Sequence, residues 1–119
     1  MKITRIETYF VDIQWACWTL LKLYTDEGVT GVGECTLESK EETVVGALKD
    51  LSRYLIGQDP LLIERHWQAM YRGSPWQGVA QFTAMSGLEQ ALWDIAGKVY
   101  GQPVYRLLGG PCRDRVRLY

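Results

Sequence analysis

The sequence predicts an α+β domain in which a three-stranded antiparallel meander is followed by a bundle of three to four helices. The first 37 residues contain three short runs rich in β-branched and aromatic residues, with turn signals between them. The rest of the chain carries apolar residues at helical spacing, interrupted by glycine and proline. Strands first and helices afterwards is the order typical of helices packed on one face of an antiparallel sheet.

The meander is predicted from turn and strand signals. The predicted strands are residues 3–11, 18–24 and 29–35. The segment 25–28 supplies a turn in which Gly28 can take a positive φ. Gly31 and Gly33 lack the third glycine of a phosphate-binding loop, and a strand rather than a helix surrounds them. We therefore expect them to mark a bulge or the close approach of another backbone.

Helical periodicity then continues to the end of the domain. The predicted helices are residues 39–57, 59–72, 82–100 and 103–108. Ser39 with Glu42 three positions later predicts a capping box at the first helix. Asp59 followed by Pro60 predicts an N-cap and a first helical residue for the second.

The third helix carries two glycines and one charged pair. Gly87 and Gly97 lower helix propensity, which indicates that another backbone packs closely against them. Asp94 and Lys98 stand four residues apart, and this spacing allows an intrahelical ion pair. Since Trp93 adds a large apolar group beside them, we expect the pair to face another domain.

Composition limits the classes of function. A chain of 119 residues with 47% hydrophobic and 23% charged residues is sufficient for one globular domain. Its 13 basic and 14 acidic residues give a net charge of −1, which favours neither nucleic acid nor an anionic membrane as a partner. The N-terminus has no apolar run of signal-peptide or membrane-span length, which predicts a cytoplasmic protein.

No catalytic or metal-binding constellation is present in the sequence. The acidic residues fall in turns and at helix starts, where backbone N–H groups favour them. His66, the only histidine, lies on a predicted helix and is interpreted as a packing residue. Cys17, Cys35 and Cys112 fit neither a disulfide framework nor a metal site, and we expect reduced thiols. The chain alone is therefore predicted to hold no catalytic residue, cofactor or metal ion.

Aromatic residues are numerous, with five tryptophans and seven tyrosines. Trp15 and Trp18 lie around the first strand connection, and Trp76 lies in the proline- and glycine-rich loop at residues 73–78. Such positions bury an indole poorly. Exposed aromatic side chains in loops predict contact with a ligand or with another domain.

Two C-terminal stretches carry a family resemblance: AMSGLEQALWDIAGK at residues 84–98 and GQPVYRLLGG at residues 101–110. Both resemble the end of the N-terminal capping domain of enolase-superfamily enzymes of the mandelate racemase/muconate lactonizing enzyme type. TDEGVTGVGE at residues 25–34 and LIGQDP at residues 55–60 are also similar to galactonate dehydratase-like acid-sugar dehydratases. The resemblance covers essentially the whole chain.

The resemblance implies a domain organisation. Residues 1–110 would form the N-terminal capping domain, and residues 111–119 would be a linker and the start of the first barrel strand. On this resemblance, we expect the C-terminal (β/α)8 barrel to be absent from this chain. Since the family holds its Mg²⁺ ligands and its acid–base residues on that barrel, the resemblance places no catalytic residue and no metal ligand here.

The resemblance also implies a role and partners. Enzymes of the family abstract the proton α to a carboxylate, and their capping domain closes over the barrel mouth. The strand connection at residues 14–19 and the loop at residues 73–78 would then contact a small carboxylate or acid-sugar substrate. The candidate substrate-capping residues are Gln14, Trp15, Trp18, Trp76 and Gln77. The expected partners are the chain's own C-terminal barrel, the substrate and further copies in a homo-oligomer.

Alternatives of different classes remain open. The parent enzyme could be a racemase or epimerase of the same superfamily instead of an acid-sugar dehydratase. Alternatively, the chain could be a stand-alone binding or oligomerisation module without catalysis. The stretch at residues 78–83 departs from the glycine-glycine-proline stretch usual in galactonate dehydratases. The aromatic surplus further predicts an exposed apolar face and self-association of the isolated chain.

Overall fold

The computed structural model describes residues 1–119 and confirms the α+β prediction. The elements are β1 (Ile3–Asp12), β2 (Cys17–Thr25), β3 (Thr30–Glu34), α1 (Glu41–Leu55), α2 (Ile63–Arg72), α3 (Val79–Tyr100) and α4 (Val104–Leu107). The strands form one antiparallel sheet in the order β1-β2-β3. Residues 111–119 are exposed and contain no helix or strand.

One face of the sheet supports the core. Side chains alternate between the two faces of a strand, and the buried residues of β2 are Thr19, Leu21, Leu23 and Thr25. The helices cover this face, with α3 packing against β2, β3 and the other three helices. Leu88, Leu92 and Ile95 of α3 are fully buried in the common core. The opposite face of the sheet is left uncovered.

Glycines set the distance between β3 and α3. A Cβ atom at Gly33 would lie 2.0 Å from the carbonyl oxygen of Gly87, and one at Gly31 would lie 2.0 Å from that of Ala91. At Gly97, a Cβ atom would lie 2.8 Å from the carbonyl oxygen of Gln102. The predicted close backbone approach is confirmed at all of these positions.

This proximity lets polar side chains of α3 close the free edge of β3. Gln90 accepts a hydrogen bond from the backbone N–H of Glu34 at 3.0 Å and donates to its carbonyl oxygen at 3.1 Å. One turn further on, the Asp94 carboxylate accepts from the N–H of Val32 at 2.9 Å. The four-residue spacing on the helix matches the two-residue spacing of outward-facing backbone groups on the strand. A strand edge that would otherwise present unpaired groups is thereby covered.

Lys98 completes this contact. Its Nζ lies 2.7 Å from Asp94 Oδ2, so the predicted intrahelical pair forms, and it also donates to the Thr30 carbonyl oxygen at 2.7 Å. The expectation that the pair also faces another domain stays a prediction. Both charges are used within this domain, because the sheet edge offers N–H and C=O groups within their reach.

The predicted capping box at the first helix was wrong. The backbone of Ser39 adopts a positive φ of 60°, and α1 starts two residues later at Glu41. The N–H of Ser39 donates to Oε1 of Glu41 at 3.2 Å, and Lys40 at the N-cap position makes no side-chain cap. Ser39 therefore lies outside the position from which a hydroxyl can accept from the first turn, and Glu42 has no capping partner there.

The second helix likewise starts later than predicted, at Ile63. The Asp59 carboxylate instead accepts from the N–H of Leu61 at 3.0 Å and caps a turn. His66 explains this geometry, because its Nε2 lies 2.7 Å from the Asp59 carbonyl oxygen and its Nδ1 lies 3.0 Å from the Tyr54 hydroxyl. The ring is fully buried, which confirms its packing role. The third helix starts three residues before its predicted start.

Candidate functional site

Two loops emerge at one end of the domain. Gly33, near the end of β3, lies against Gly87, whereas the earlier Gly31 lies against Ala91, which comes later in α3. The helix therefore runs antiparallel to the strand. The start of α3 therefore lies at the same end as the turn between β1 and β2. As a result, the turn at residues 13–16 and the loop at residues 73–78 share this end, which we call the loop end.

The turn at the loop end is tight and presents a tryptophan. Ile13 donates its backbone N–H to the Ala16 carbonyl oxygen at 2.9 Å, and Gln14 donates its own to Asp12 Oδ1 at 2.9 Å. Gln14 has a φ of 74°, in the left-handed region that few residues other than glycine adopt. Trp15 follows with 80% of its surface exposed. A hydrogen-bonded turn therefore presents an indole and an amide to solvent.

The second loop, residues 73–78, presents Trp76 with 89% of its surface exposed. Gln77 ties the loop together, since its Nε2 donates to the Ser74 carbonyl oxygen at 3.1 Å and to that of Tyr71. Ser74 donates its hydroxyl to the Trp76 carbonyl oxygen at 3.3 Å. Because both amide hydrogens of Gln77 are occupied, only its Oε1 can accept from a ligand.

Trp18 is placed differently from the other candidates. The connection predicted over residues 14–19 is shorter in the structure, and Trp18 lies inside β2 opposite Val11. Its side chain points to the sheet face away from the helices and is 47% exposed. The structure thus brings Gln14, Trp15, Trp76 and Gln77 to the loop end and leaves Trp18 on the outer sheet face.

Sequence reasoning missed a polar depression of about 370 Å³ at the loop end. Its lining includes Glu34, Thr36, Phe82, Thr83, Ser86 and Gln90. Phe82 stands 6.0 Å from the ring of Tyr71, which in turn stacks on Trp67 at 5.0 Å. The spacing of Thr83, Ser86 and Gln90 along one side of a helix is the signal that could have identified this surface.

The chain does not fit a metal site. No group of three or more His, Cys, Asp or Glu side chains comes together in a way that could hold an ion. A hard cation such as Mg²⁺ requires several converging oxygen ligands. None of the three cysteines is bonded to another, and burial raises the pKa of the Cys35 thiol to about 11, which keeps it protonated at neutral pH. None of the helices combines the length and apolar character needed to cross a membrane.

Comparison with known sequences identifies the family. Residues 2–109 match the family described as mandelate racemase / muconate lactonizing enzyme, N-terminal domain. The chain belongs to this family. The resemblance to enolase-superfamily capping domains, predicted from the sequence, is therefore confirmed, and residues 2–109 are an N-terminal domain of the mandelate racemase/muconate lactonizing enzyme type.

Curated relatives of this N-terminal domain share about half of its residues. D-galactonate dehydratase of Ralstonia pickettii is 52% identical over 120 aligned positions, which cover all of this chain and 31% of the relative. D-galactonate dehydratase of Pectobacterium atrosepticum is 48% identical, and the alignment again covers all of this chain and 31% of the relative. The chain thus spans about a third of the length of the curated relatives it matches.

Solved structures contain the same fold. A Mesorhizobium loti protein superposes with a TM-score of 0.93 at 45% identity, covering 98% of this chain and 32% of that one. An enolase from Pantoea ananatis with bound D-gluconate and Mg superposes with a TM-score of 0.89 at 39% identity, covering 95% and 28%. The predicted fold of the N-terminal capping domain is confirmed.

Proposed function

We propose that this chain is the substrate-capping domain of a larger enzyme that dehydrates a small acid sugar. The observation that carries the proposal is the placement of two highly exposed tryptophans, Trp15 and Trp76, on separate loops at one end of the domain. The dehydratase names of the relatives and the share of their length that the chain spans support it. Racemisation by the same superfamily is disfavoured, because the Ralstonia pickettii and Pectobacterium atrosepticum relatives are dehydratases.

The residues of the loop end suit a polyol acid. The indoles of Trp15 and Trp76 offer apolar faces that stack on the C–H surface of a sugar chain and exclude water. Gln14, on an exposed turn, can donate to and accept from hydroxyl groups, and Gln77 can accept through Oε1. The hydroxyls of Thr83 and Ser86 line the depression behind them. In this proposal these groups orient the end of the substrate remote from its carboxylate, whereas Trp18 has no direct contact.

The chemical step lies outside this chain in our proposal. Since no residues here fit a metal ion, Mg²⁺ and the groups that remove the α proton would belong to a C-terminal barrel of the same polypeptide. An apolar surface for such a partner exists on the helical side, where Val99, Tyr100, Tyr105 and Leu108 are exposed. The barrel would cover it by burying apolar area.

The test begins with the intact mass of the native polypeptide. We expect a mass roughly three times that of the 13.6 kDa chain, because the chain spans 31% of its relatives. That polypeptide is then incubated with Mg²⁺ and a panel of six-carbon sugar acids. Loss of water from a 2,3-dihydroxy acid produces a 2-keto acid, which semicarbazide detects, whereas racemisation produces none.

Dehydration and racemisation are distinguished by the product that forms. Formation of a 2-keto acid from at least one sugar acid supports dehydration. Inversion at the α carbon without a keto product would replace dehydration by racemisation. A native mass of 13.6 kDa would contradict the capping role itself and favour a stand-alone module.

A further inference from the structure

The backbone groups at the two edges of the sheet differ in whether they have hydrogen-bond partners. The edge of β3 is closed by side chains of α3, as described above. The edge of β1 has no neighbouring strand, because the sheet order is β1-β2-β3. Exposed strand edges are templates for pairing with another chain, and natural proteins normally blunt them. No strand or helix side chain closes the edge of β1 beyond Ile3, so this stretch can accept a partner strand.

The register defines which groups are free. The hydrogen bond from Ile13 to Ala16 and the pairing of Asp12 with Cys17 show that odd-numbered residues of β1 bond to β2. Even-numbered residues therefore direct their N–H and C=O groups outwards. Along this edge only Ile3 forms backbone hydrogen bonds. Its N–H donates to the Gln58 carbonyl oxygen at 2.9 Å, and its carbonyl oxygen accepts from the Gly57 N–H at 2.8 Å. The pairing of β1 with β2 is irregular between Ile3 and Arg5. The free stretch is residues 4–12.

We propose that β1 pairs antiparallel with β1 of a second copy of this chain, about a two-fold axis at Thr8. Thr8 is the midpoint of the free stretch, so this register uses all of residues 4–12 in both copies and stops where the edge is occupied at Ile3. Two three-stranded sheets then become one continuous sheet. Self-complementary two-fold contacts of this kind are the commonest in soluble oligomers.

Side chains agree with this register. On the helix side, Ile6 of each copy lies opposite Phe10 of the other, so that Phe10, now 48% exposed, gains an apolar partner. On the outer side, Glu7 lies opposite Tyr9 of the other copy and Arg5 opposite Val11, and no like charges meet. Cross-strand apolar and aromatic pairs stabilise sheets.

Neighbouring registers are less favourable. Moving the axis to Glu7 places the two Glu7 carboxylates opposite each other, which is destabilising. Moving it to Tyr9 places Ile6 opposite Asp12 of the other copy and leaves Thr4 and Arg5 without partners. The same self-complementarity favours a second copy of this chain over an unrelated strand.

Light scattering on the native polypeptide tests the proposal with a matched pair of variants. Thr8→Pro removes an N–H that the second copy needs but that β2 does not use, and proline is tolerated at such edge positions. Thr8→Val keeps the N–H and the branched side chain. In the native polypeptide, we expect twice the single-chain mass for the unmodified protein and for Thr8→Val, and the single-chain mass for Thr8→Pro. A monomeric unmodified chain, or a dimeric Thr8→Pro, would overturn the proposal.

A cross-link tests the register and does not depend on the folding of the proline variant. In a Cys112→Ser background, Thr8→Cys places two thiols across the axis, where hydrogen-bonded pairs have Cα atoms about 5.5 Å apart, within disulfide range. Thr4→Cys faces Asp12 of the other copy and serves as the control. We expect an oxidised dimer for Thr8→Cys and none for Thr4→Cys. Absence of the first, or equal cross-linking of both, would contradict pairing at Thr8.

Discussion

Gly33 of β3 faces the carbonyl oxygen of Gly87 of α3 so closely that a Cβ atom on Gly33 would lie 2.0 Å from it. This contact joins two backbones with no side chain between them. It brings α3 near enough for Gln90 and Asp94 to bond the edge of β3 directly. A pair of glycines thus determines both the packing of the core and the protection of one sheet edge.

The first prediction concerns this pair. Gly33→Ala forces two backbones apart, and we expect the free energy of unfolding to fall by about 1–3 kcal/mol, as for overpacked cores. Gly46→Ala is the control, because Gly46 lies in α1 with open space around it. Alanine there should raise stability by about 0.8–1 kcal/mol through helix propensity. Urea unfolding measures both, and equal effects of the two substitutions would exclude the close contact.

The second prediction concerns the closed edge. Asp94→Ala leaves the N–H of Val32 without its acceptor and removes the carboxylate that pairs with Lys98. We expect a loss of about 1–2 kcal/mol of stability and faster hydrogen exchange at the Val32 amide. Asp50→Ala removes an exposed pair with Arg53 and should change stability by about 0.5 kcal/mol or less. Unchanged exchange at Val32 in Asp94→Ala would contradict the edge contact.

The third prediction concerns the buried histidine. Tyr54→Phe removes the hydroxyl that faces Nδ1 of His66, leaving that nitrogen buried without a partner. The cost should be about 1–3 kcal/mol in thermal or urea unfolding. Tyr100→Phe, on an exposed tyrosine, is the control and should be nearly neutral. If the two substitutions behave alike, the hydrogen bond does not hold the ring.

The fourth prediction concerns the outer sheet face. The Tyr24 hydroxyl, 2.6 Å from Glu7, and then the Tyr9 hydroxyl lower the pKa of the Glu7 carboxyl below its usual 4.5. Because folding lowers this pKa, the contribution to stability is present above pH 4.5 and is lost as the pH falls through the folded-state pKa. NMR titration should show the Glu7 pKa rising more in Tyr24→Phe than in Tyr9→Phe. The reverse order would contradict the dominant role of Tyr24.

The fifth prediction concerns the proposed capping role. In the native polypeptide, Trp15→Ala and Trp76→Ala should each raise KM for the acid sugar about tenfold, the equivalent of about 1.4 kcal/mol. Stability should hardly change, since both side chains are exposed. Ile56→Ala, at an exposed apolar position next to Gly57 at the opposite end of β1, is the control and should leave KM unchanged. If KM is unaffected by both tryptophan substitutions, the loop end does not contact substrate.

Much of the fold follows from local sequence signals. The strands, the turn at Gly28 with its φ of 81°, and the helical stripes form as predicted, because alternation, helical spacing and glycine conformation act over a few residues. Gly31 and Gly33 were correctly interpreted as sites of close approach. The exposure of Trp15 and Trp76 was likewise predictable, since a loop seldom offers enough neighbours to bury an indole.

Helix starts were less predictable. Ser39 and Asp59 are suitable capping residues, yet neither caps a helix. The positive φ of Ser39 and the bond from His66 to the Asp59 carbonyl oxygen shift the start of each helix. Such contacts join segments whose meeting cannot be read from local spacing.

The sequence by itself determined the element order, the need for a close neighbour at Gly31 and Gly33, and the family, because each depends on residue type at short spacing. Only the tertiary structure decided what those groups meet. It directed Asp94 and Lys98 to the edge of β3, and it placed Trp18 inside β2 on the outer sheet face while Trp15 stayed in the turn. The physical reason is that a hydrogen bond depends on positions within about 3 Å, which packing sets between segments far apart in sequence.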